Sequence, residues 1–330
     1  MRRRDFMSLL GGAAAAPLWP FSARAESAPK EYLIAHLASA SEAASRPRVA
    51  AFLAGLRELG YVEGQTFRMV SRHANGQFAK LPALASELVG LTPDVLFVET
   101  TPGALAAKRA TRTVPIVFVA VADPIGVGLV ASLAKPGGNI TGLTNIVAEL
   151  AGKRLEILHE IIPTAKRIAV LINPDDQNAS LQMRSAEAVA DKLGLMLQPV
   201  AAVRSAADLQ PAFEASAAAG AQAALRMTDP LVTALSKQTA EMEVKYRIPV
   251  IYPFHESVQQ GGLVAYGTDL LEQFRAAASY VHKILHGANP AELPVERPTK
   301  FHLAINLRTA NTLGVTIAPM LLARADEVIE

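Results

Sequence analysis

The segment Gly126–Ala131 has the Gly-x-Gly-x-x-Ala spacing of loops that bind dinucleotides. In such loops the glycines let the backbone approach a pyrophosphate at the start of a helix. Here an Asp-Pro turn separates the segment from the strand pattern before it, and no acidic residue ends a second strand about 20 positions further on. We therefore interpret the segment as a packed helix start, where the glycines allow close approach to a neighbouring element.

Other residues with possible catalytic or metal-binding chemistry are scattered. Of the 7 histidines, only His282 and His286 have the i, i+4 spacing of a metal-binding pair, and no acidic ligand accompanies them in the same turn. The chain has no cysteine, which excludes disulfides and thiolate metal sites. It also lacks a phosphate-binding P-loop and a Gly-x-Ser-x-Gly nucleophile elbow. We predict no metal, no cofactor and no enzymatic activity.

Residues 1–25 have the features of an export signal. Arg3–Met7 follows the twin-arginine pattern, an apolar stretch comes next, and Ala23–Ala25 is a small-x-small cleavage site. The general secretory route is the alternative, whereas Pro17 and Pro20 interrupt the apolar stretch too early for a membrane anchor. The pattern predicts cleavage near Ala25 and a mature protein in the periplasm.

Charge and composition restrict the classes of partner. The whole chain has a formal net charge of +2, and loss of the leader's four arginines and one aspartate leaves the mature chain near neutrality. We expect no nucleic-acid or anionic-lipid surface, and no later segment is apolar enough to span a bilayer. A hydrophobic content of 51% in a chain of 330 residues predicts a large core and suits two domains.

Short β-type runs alternate with longer helical patterns along the mature chain. In the first half we predict strands at 32–37, 66–71, 94–99 and 116–121, and helices at 46–60, 78–90 and 102–110. The second half repeats this order, with helices at 150–163, up to Leu193 and at 206–219, and strands at 167–172, 195–200 and 222–227. This alternation predicts an α/β fold of two Rossmann-like lobes with parallel sheets. The alternative is that the repeat is a coincidence, because similar turn residues separate strands and helices in many α/β proteins.

Loops at the carboxyl ends of these strands are rich in hydroxyls, amides and carboxylates. Ligands of open α/β sheets bind at such loops, where helix N-termini also supply free N–H groups. Two similar lobes would therefore form a cleft for a small molecule between them. His255 lies on one of these loops, and a hydrogen bond to a ligand and a structural role both remain open for it.

Several stretches resemble one known family. "GLRELGYVEG", "DVLFVETTPGALAAKRAT", "VPIVFVAVADPIGVGLVASLAKPGGNITGL" and "LPVERPTKFHLAINLRTANTLG" are similar to the tryptophan/tyrosine-type substrate-binding proteins of ABC importers. The resemblance extends over nearly the whole mature chain. It implies a periplasmic-binding-protein type I fold, in which two lobes on a three-strand hinge close on a small molecule. It also implies delivery to a membrane permease with an ATPase, and we expect the binding protein to be a monomer.

The resemblance also implies domain boundaries and motif positions. The N-terminal lobe would comprise 31–146 plus about 268–298, and the C-terminal lobe 147–267 plus about 299–330. The family's loop motifs fall on Ser39–Ser41, Thr101-Pro102, Asp123-Pro124, Asn173-Pro174, Asp229-Pro230 and Tyr266-Gly267. This chain departs from the family at Glu99-Thr100, where small residues are usual, and at Ile172, where tryptophan is frequent. Both departures put tryptophan in doubt as the ligand.

Three roles are assigned to the side chains at these loops. A ligand ammonium needs a carboxylate, because an unpaired buried charge is costly; the candidates are Asp123 and Asp229, with Glu99 third. A ligand carboxylate would sit on Ser41, Thr100, Thr101 or Thr228 at a helix start. Apolar walls would come from Tyr252, Phe254 and Tyr266. The alternatives are helix capping for Asp123, Asp229 and Asp269, and core packing for the aromatic residues.

We therefore predict an extracytoplasmic substrate-binding protein of an ABC importer, capturing an amino acid or an aromatic or organic acid by hinge closure. The first alternative is a ligand-sensing periplasmic protein of a signalling system with the same fold. The second is an enzyme that folds around a cofactor before twin-arginine export.

Overall fold

The computed structural model describes residues 31–146, 149–229, 231 and 234–330, so the predicted export signal lies outside the described residues. Two sheets form the core of this part of the chain, one of five strands and one of seven. Helices cover both faces of each sheet, as the alternating sequence pattern predicts. The protein is thus an α/β protein of two lobes. None of the helices in the described ranges combines the length and the apolar character that a bilayer crossing needs.

The N-terminal lobe has the strand order β2-β1-β3-β4-β5. Its strands are β1 (Tyr32–Ala38), β2 (Phe67–His73), β3 (Val95–Glu99), β4 (Ile116–Val121) and β5 (Ile140–Thr144). Its helices are α1 (Glu42–Glu58), α2 (Leu81–Gly90) and α3 (Thr100–Ala110), and a late helix, α9 (Leu270–Leu285), packs on α1. Strands β1, β3 and β4 are apolar and almost wholly buried because helices cover both of their faces.

The C-terminal lobe has the strand order β12-β11-β10-β9-β8-β6-β7. Its strands are β6 (Arg167–Ile172), β7 (Met196–Ala202), β8 (Ala223–Arg226), β9 (Val250–Tyr252), β10 (Val264–Gly267), β11 (His302–Asn306) and β12 (Glu327–Ile329). Its helices are α4 (Leu150–Ile161), α5 (Ala179–Leu193), α6 (Leu209–Ala218), α7 (Ser236–Tyr246), α8 (Glu256–Gln259), α10 (Leu307–Leu313) and α11 (Pro319–Leu322).

The predicted internal repeat is confirmed by strand order. The order β7-β6-β8-β9-β10 in the second sheet reproduces β2-β1-β3-β4-β5 in the first. The second sheet is not wholly parallel, because β11 pairs antiparallel with β10 and His302 lies opposite Gly267. The physical reason is that the chain leaves the sheet after β10 and returns from the other lobe at the same end of the sheet, so β11 runs in the opposite direction.

The chain passes between the two lobes three times. The connections lie between β5 and α4, between β10 and α9, and between Leu293 and β11. Contacts nevertheless group Glu31–Glu330 into a single compact unit. The lobe boundaries near 146, 267 and 298 stay a prediction.

Helix α1 begins earlier than the sequence pattern predicts. The predicted helix starts at Arg46 with Pro47 in its first turn, but the structure starts the helix at Glu42, with Ser41 as its N-cap. The Ser41 hydroxyl accepts a hydrogen bond from the backbone N–H of Ala44, and Pro47 lies inside the helix. This shift moves Arg48 from the predicted first turn to the second turn of a helix that starts beside β1.

The predicted helix start at Gly126–Ala131 is wrong, because the structure has consecutive turns there. The Asp123 carboxylate accepts the N–H of Gly126, and the N–H groups of Leu129 and Val130 both point to the carbonyl of Pro124. Gly128 has a φ of 69°, in the left-handed region that ends helical geometry.

Gly55 permits the close packing of α1 on α9. A Cβ atom added at Gly55 would collide with the backbone carbonyl oxygen of Arg275 and would lie 2.9 Å from Ala278 Cβ. We expect Gly55→Ala to lower the free energy of unfolding by about 1–3 kcal/mol, because the added methyl group overpacks a rigid contact. Gly90→Ala at the end of α2, where nothing lies within 4 Å, is the matched control. Urea unfolding of both variants measures the effect, and equal stability of the two would contradict it.

Candidate functional site

A cleft lies between the two lobes at the carboxyl ends of their strands. It encloses about 480 Å³ including its open mouth. The N-terminal lobe and α9 contribute Arg48, Thr100, Thr101, Pro102, Ala120, Ala122, Asn145 and Leu270. The C-terminal lobe contributes Asp176, Asn178, Gln182, Thr228, Asp229 and Phe254. One wall therefore carries a guanidinium group and the opposite wall carries two carboxylates.

The turn from β3 into α3 forms the floor of the cleft on the N-terminal side. Thr100 has a φ of 65°, and its hydroxyl lies 2.7 Å from the buried hydroxyl of Ser39. Ala120 at the end of β4 also has a positive φ, 58°, beside a register shift in the β4–β5 pairing. Strained backbone of this kind is maintained only where the surrounding fold fixes it, and it clusters at ligand sites. The strain therefore supports a binding role for this floor.

Glu99 lies under this floor rather than in the cleft. Its side chain is fully buried, with Oε1 3.0 Å from His36 Nε2 and Oε2 accepting a hydrogen bond from Ser45. Arg48 Nη2 lies 3.7 Å from Glu99 Oε2. Burial alone would raise the pKa of Glu99, but the hydrogen bond with His36 and the charge of Arg48 lower it below its usual value. Glu99 is thus an ionised internal partner of Arg48.

The loop between β6 and α5 supplies the first carboxylate on the C-terminal side. Asp176 is 8% exposed, and its Oδ1 accepts the N–H of Asn178 at 2.8 Å. Burial raises the pKa of Asp176 to about 6, and the neighbouring Asp229 adds to the shift. The Asn178 N–H and Arg226 oppose the shift without cancelling it. Burial therefore makes the ionised form of Asp176 unfavourable, and a cation bound beside it would stabilise that form.

The second carboxylate, Asp229, already has a cation. Arg226 Nη2 lies 2.8 Å from Asp229 Oδ2, and both side chains are at most 1% exposed. Arg226 Nη1 also donates to the carbonyls of Leu171 and Met227, and Asp229 Oδ1 accepts the N–H of Leu231. The Arg226–Asp229 ion pair therefore lies on the C-terminal side of the cleft, where Asp229 is one of the lining residues.

Contacts join the two lobes across the cleft. Asn178 Nδ2 donates to Thr101 Oγ1 at 3.5 Å. Phe254 packs with Ala122 and Leu270 in a small apolar cluster. Both lobes therefore help to close the cleft, through the hydrogen bond between Asn178 and Thr101 and through the apolar contact of Phe254 with Ala122 and Leu270.

Several buried polar atoms of the cleft lining lack a hydrogen-bond partner within the described residues. They are Arg48 Nε, Asn145 Oδ1 and Thr228 Oγ1, together with Asp229 Oδ2, which has the ion pair with Arg226 but no other partner in this part of the chain. Buried polar groups are normally satisfied, and an unsatisfied donor or acceptor costs about 1–3 kcal/mol. The lining therefore favours a ligand that brings both donors and acceptors.

The structure brings together five of the residues proposed from sequence, namely Thr100, Thr101, Thr228, Asp229 and Phe254. Two others support the cleft from outside. Ser39 holds the Thr100 hydroxyl, and Ser41 caps α1.

The remaining proposed residues have structural contacts away from the cleft lining. Asp123 accepts the N–H of Gly126 and lies in a neighbouring surface groove, and Asn173 accepts the N–H of Asp175. Tyr252 is fully buried and donates to Glu243, and Tyr266 stacks on Phe301 with ring centroids 6.1 Å apart. The structure thus supports the alternative of core packing for Tyr252, whereas Asp123 accepts a hydrogen bond within a turn and not at the helix start that the capping alternative assumed. A ligand role for these four residues stays a prediction.

The sequence reasoning missed Arg48, Asp176, Asn178, Gln182 and Asn145. Gln182 bridges the backbone of Thr228 through both of its amide atoms, at 2.7 Å each. Asp176 and Asn178 lie three and five residues after Asn173, in the first loop of the second lobe, so the repeat pointed to their loop but not to the side chains. His255 contacts the ring of His302 outside the cleft lining. In the described ranges no group of three or more His, Cys, Asp or Glu is arranged to hold a metal ion.

The fold and this cleft define a two-lobed protein that encloses a small molecule. Residues 34–329 match the family described as ABC transporter substrate binding protein. The chain therefore belongs to the family of ABC transporter substrate-binding proteins.

Individual relatives agree with this assignment. A tyrosine-binding protein of Clostridioides difficile (strain R20291) is 28% identical over 265 residues, which cover 80% of this chain and 75% of that protein. The crystal structure of a conserved domain protein from Vibrio cholerae O1 biovar eltor has a TM-score of 0.84 at 32% identity, covering 91% of this chain and 100% of that chain. The structure of an ABC domain in complex with L-Trp from Streptococcus pneumonia has a TM-score of 0.83 at 26% identity, with the same coverage.

Proposed function

We propose that this protein is the extracytoplasmic receptor of an ABC importer and that it captures an amino acid in the cleft between its lobes. The observation that carries the proposal is the pair of opposed walls, with the Arg48 guanidinium on one and the buried carboxylate of Asp176 on the other. A zwitterion presents one charge to each wall. Support also comes from the relatives, one of which is named for tyrosine and another of which is in complex with L-Trp.

The apolar residues of the cleft lining restrict the kind of side chain that the ligand carries. Phe254, Leu270 and Pro102 offer one aromatic ring and two aliphatic surfaces to it. A ligand with a hydrophobic or aromatic side chain would bury this surface on closure, at about 25 cal/mol per Å² of apolar area. An amino acid with such a side chain is therefore the best match to the lining.

The importer role, the location and the partners belong to the same proposal. The twin-arginine pattern at residues 3–7 supports export to the periplasm, where a monomeric receptor would deliver its ligand to a permease and its ATPase. A sensor of a signalling system would use the same cleft. The two are separated by uptake, because deletion of the gene would abolish transport of the ligand only in the importer case.

A thermal-shift panel of amino acids, aromatic acids and nucleobases tests the ligand class. A ligand that binds only the folded protein adds about 2.7 kcal/mol of stability at a hundredfold excess over its Kd. We expect one or a few hydrophobic or aromatic amino acids to raise the melting temperature in proportion to the logarithm of their concentration. No shift with any member of the panel would contradict the proposed function.

A further inference from the structure

Arg48 is a cation of the cleft wall that the sequence pattern did not reveal. It lies in the second turn of α1, and the residue is 9% exposed. Its Nη2 donates to the carbonyl of Ala44 at 3.3 Å, and its guanidinium lies 5.7 Å from the centre of the Phe274 ring. Its Nε has no hydrogen-bond partner within the described residues. Part of the donor capacity of the guanidinium group is therefore unused.

The contact of Arg48 with Glu99 does not use up this capacity. At 3.7 Å the Nη2–Oε2 distance is long for a charge-assisted hydrogen bond, which is usually about 2.7–2.9 Å. Glu99 is instead bonded to His36 and Ser45. The Glu99 carboxylate therefore balances the charge of Arg48, while the Arg48 Nε–H has no hydrogen-bond partner within the described residues.

The same wall contains the start of a helix. Thr100 and Thr101 begin α3, an 11-residue helix, and both line the cleft with Arg48. The first N–H groups of a helix have no partner within it and favour a negative group. Arg48 and this helix start thus offer a joint site for an anion opposite Asp176.

We infer that Arg48 is the specificity-determining receptor for the carboxylate of the ligand. This inference rests on the proposed function and extends it, because it predicts that the protein rejects amines that lack a carboxylate. Arg48 and the α3 N-terminus hold the carboxylate while Asp176 holds the ammonium. Selectivity for the zwitterion then comes from charges on opposite lobes.

Matched pairs of ligands test the inference. The probes are amino acids and their decarboxylated amines: tyrosine and tyramine, tryptophan and tryptamine, histidine and histamine, leucine and isoamylamine. Calorimetry on the wild-type protein compares the Kd within each pair at pH 7.5. We expect the best amino acid to bind roughly 10- to 150-fold more tightly than its amine, as for a lost hydrogen bond to a charged group. Equal affinity of the two would overturn the inference.

Variants at Arg48 make the test specific. In Arg48→Gln we expect the ratio of the two Kd values to fall below about threefold, and in Arg48→Lys, which keeps the charge without the planar fork, to take an intermediate value. Arg57→Gln, an exposed arginine of the same helix, is the matched control and should keep the wild-type ratio. A wild-type ratio in folded Arg48→Gln would also overturn the inference. If no amino acid and no amine binds the wild-type protein, the proposed function itself fails, and the inference fails with it.

Discussion

Asp176→Asn is expected to weaken capture of the ligand strongly while leaving the free protein folded. Removing one partner of a buried, hydrogen-bonded charge pair costs about 2–5 kcal/mol, a loss of roughly 30-fold to several thousandfold in affinity. The free protein should be at least as stable as the wild type, because burial makes the ionised Asp176 carboxylate unfavourable and raises its pKa. Calorimetric titration and a thermal melt without ligand measure the two effects separately.

Asp175→Asn is the matched control. Asp175 precedes Asp176 in the same loop, but its side chain is 63% exposed and forms a surface ion pair with Arg204 at 2.9 Å. Its loss should leave the affinity within about twofold of wild type, because exposed ion pairs contribute only about 0–1 kcal/mol. If Asp176→Asn binds the ligand as Asp175→Asn does, Asp176 does not bind the ammonium group.

The raised pKa of Asp176 also predicts a pH dependence. An ammonium ion binds only the ionised carboxylate, so the affinity should be highest above pH 6 and should fall as the pH drops below about 6. The stability of the free protein changes in the opposite sense. Because the folded pKa lies above the unfolded value of 3.8, this contribution is fully present below that pH and is lost as the pH rises through about 6. Both trends should be absent in Asp176→Asn.

Arg226→Met is expected to be the most destabilising substitution near the site. It would leave Asp229 as an uncompensated buried charge and would remove the donors to the carbonyls of Leu171 and Met227. Breaking a buried pair in this way costs about 3–5 kcal/mol. The pKa of Asp176 should rise further in this variant, because Arg226 is one of the groups that lower it. Urea unfolding and the pH profile of ligand binding measure the two consequences.

Two comparisons test the origin of this loss. Arg204→Met breaks the exposed Asp175 pair and should cost no more than about 1 kcal/mol. The double variant Arg226→Met/Asp229→Leu removes both buried charges and should recover much of the stability, since a buried pair often contributes little compared with apolar replacements. Equal losses in Arg226→Met and Arg204→Met would show that burial of the pair is not the cause.

The fold could be predicted closely because its signals are local. The strands predicted at 116–121 and 167–172 coincide with β4 (Ile116–Val121) and β6 (Arg167–Ile172), since short apolar runs between turn residues fit only buried strands here. The repeat of the elements along the chain was also predicted, and it appears in the structure as the same strand order in the two lobes. The antiparallel β11 was not predicted, because it depends on a connection between lobes that local periodicity does not contain.

The cleft was predicted less completely because side-chain direction depends on tertiary packing. The predicted helix at 46–60 placed Arg48 in its first turn. The actual start at Glu42 puts Arg48 one turn further in, beside β3 and the cleft. Tyr252 was expected in the apolar wall of the cleft, but its hydroxyl donates to the buried carboxylate of Glu243 at 2.8 Å, so the side chain lies in the core. Neither contact has a sequence signature.

Helix α9 has a consequence for how the protein is made. Its residues, Leu270–Leu285, follow strands β6 to β10 of the second lobe in the chain, yet Phe274, Ala277, Ala278 and Val281 complete the apolar core around Phe52 and Phe97 in the first lobe. The first lobe therefore cannot complete its apolar core until the ribosome has synthesised strands β6 to β10 of the second lobe and then α9.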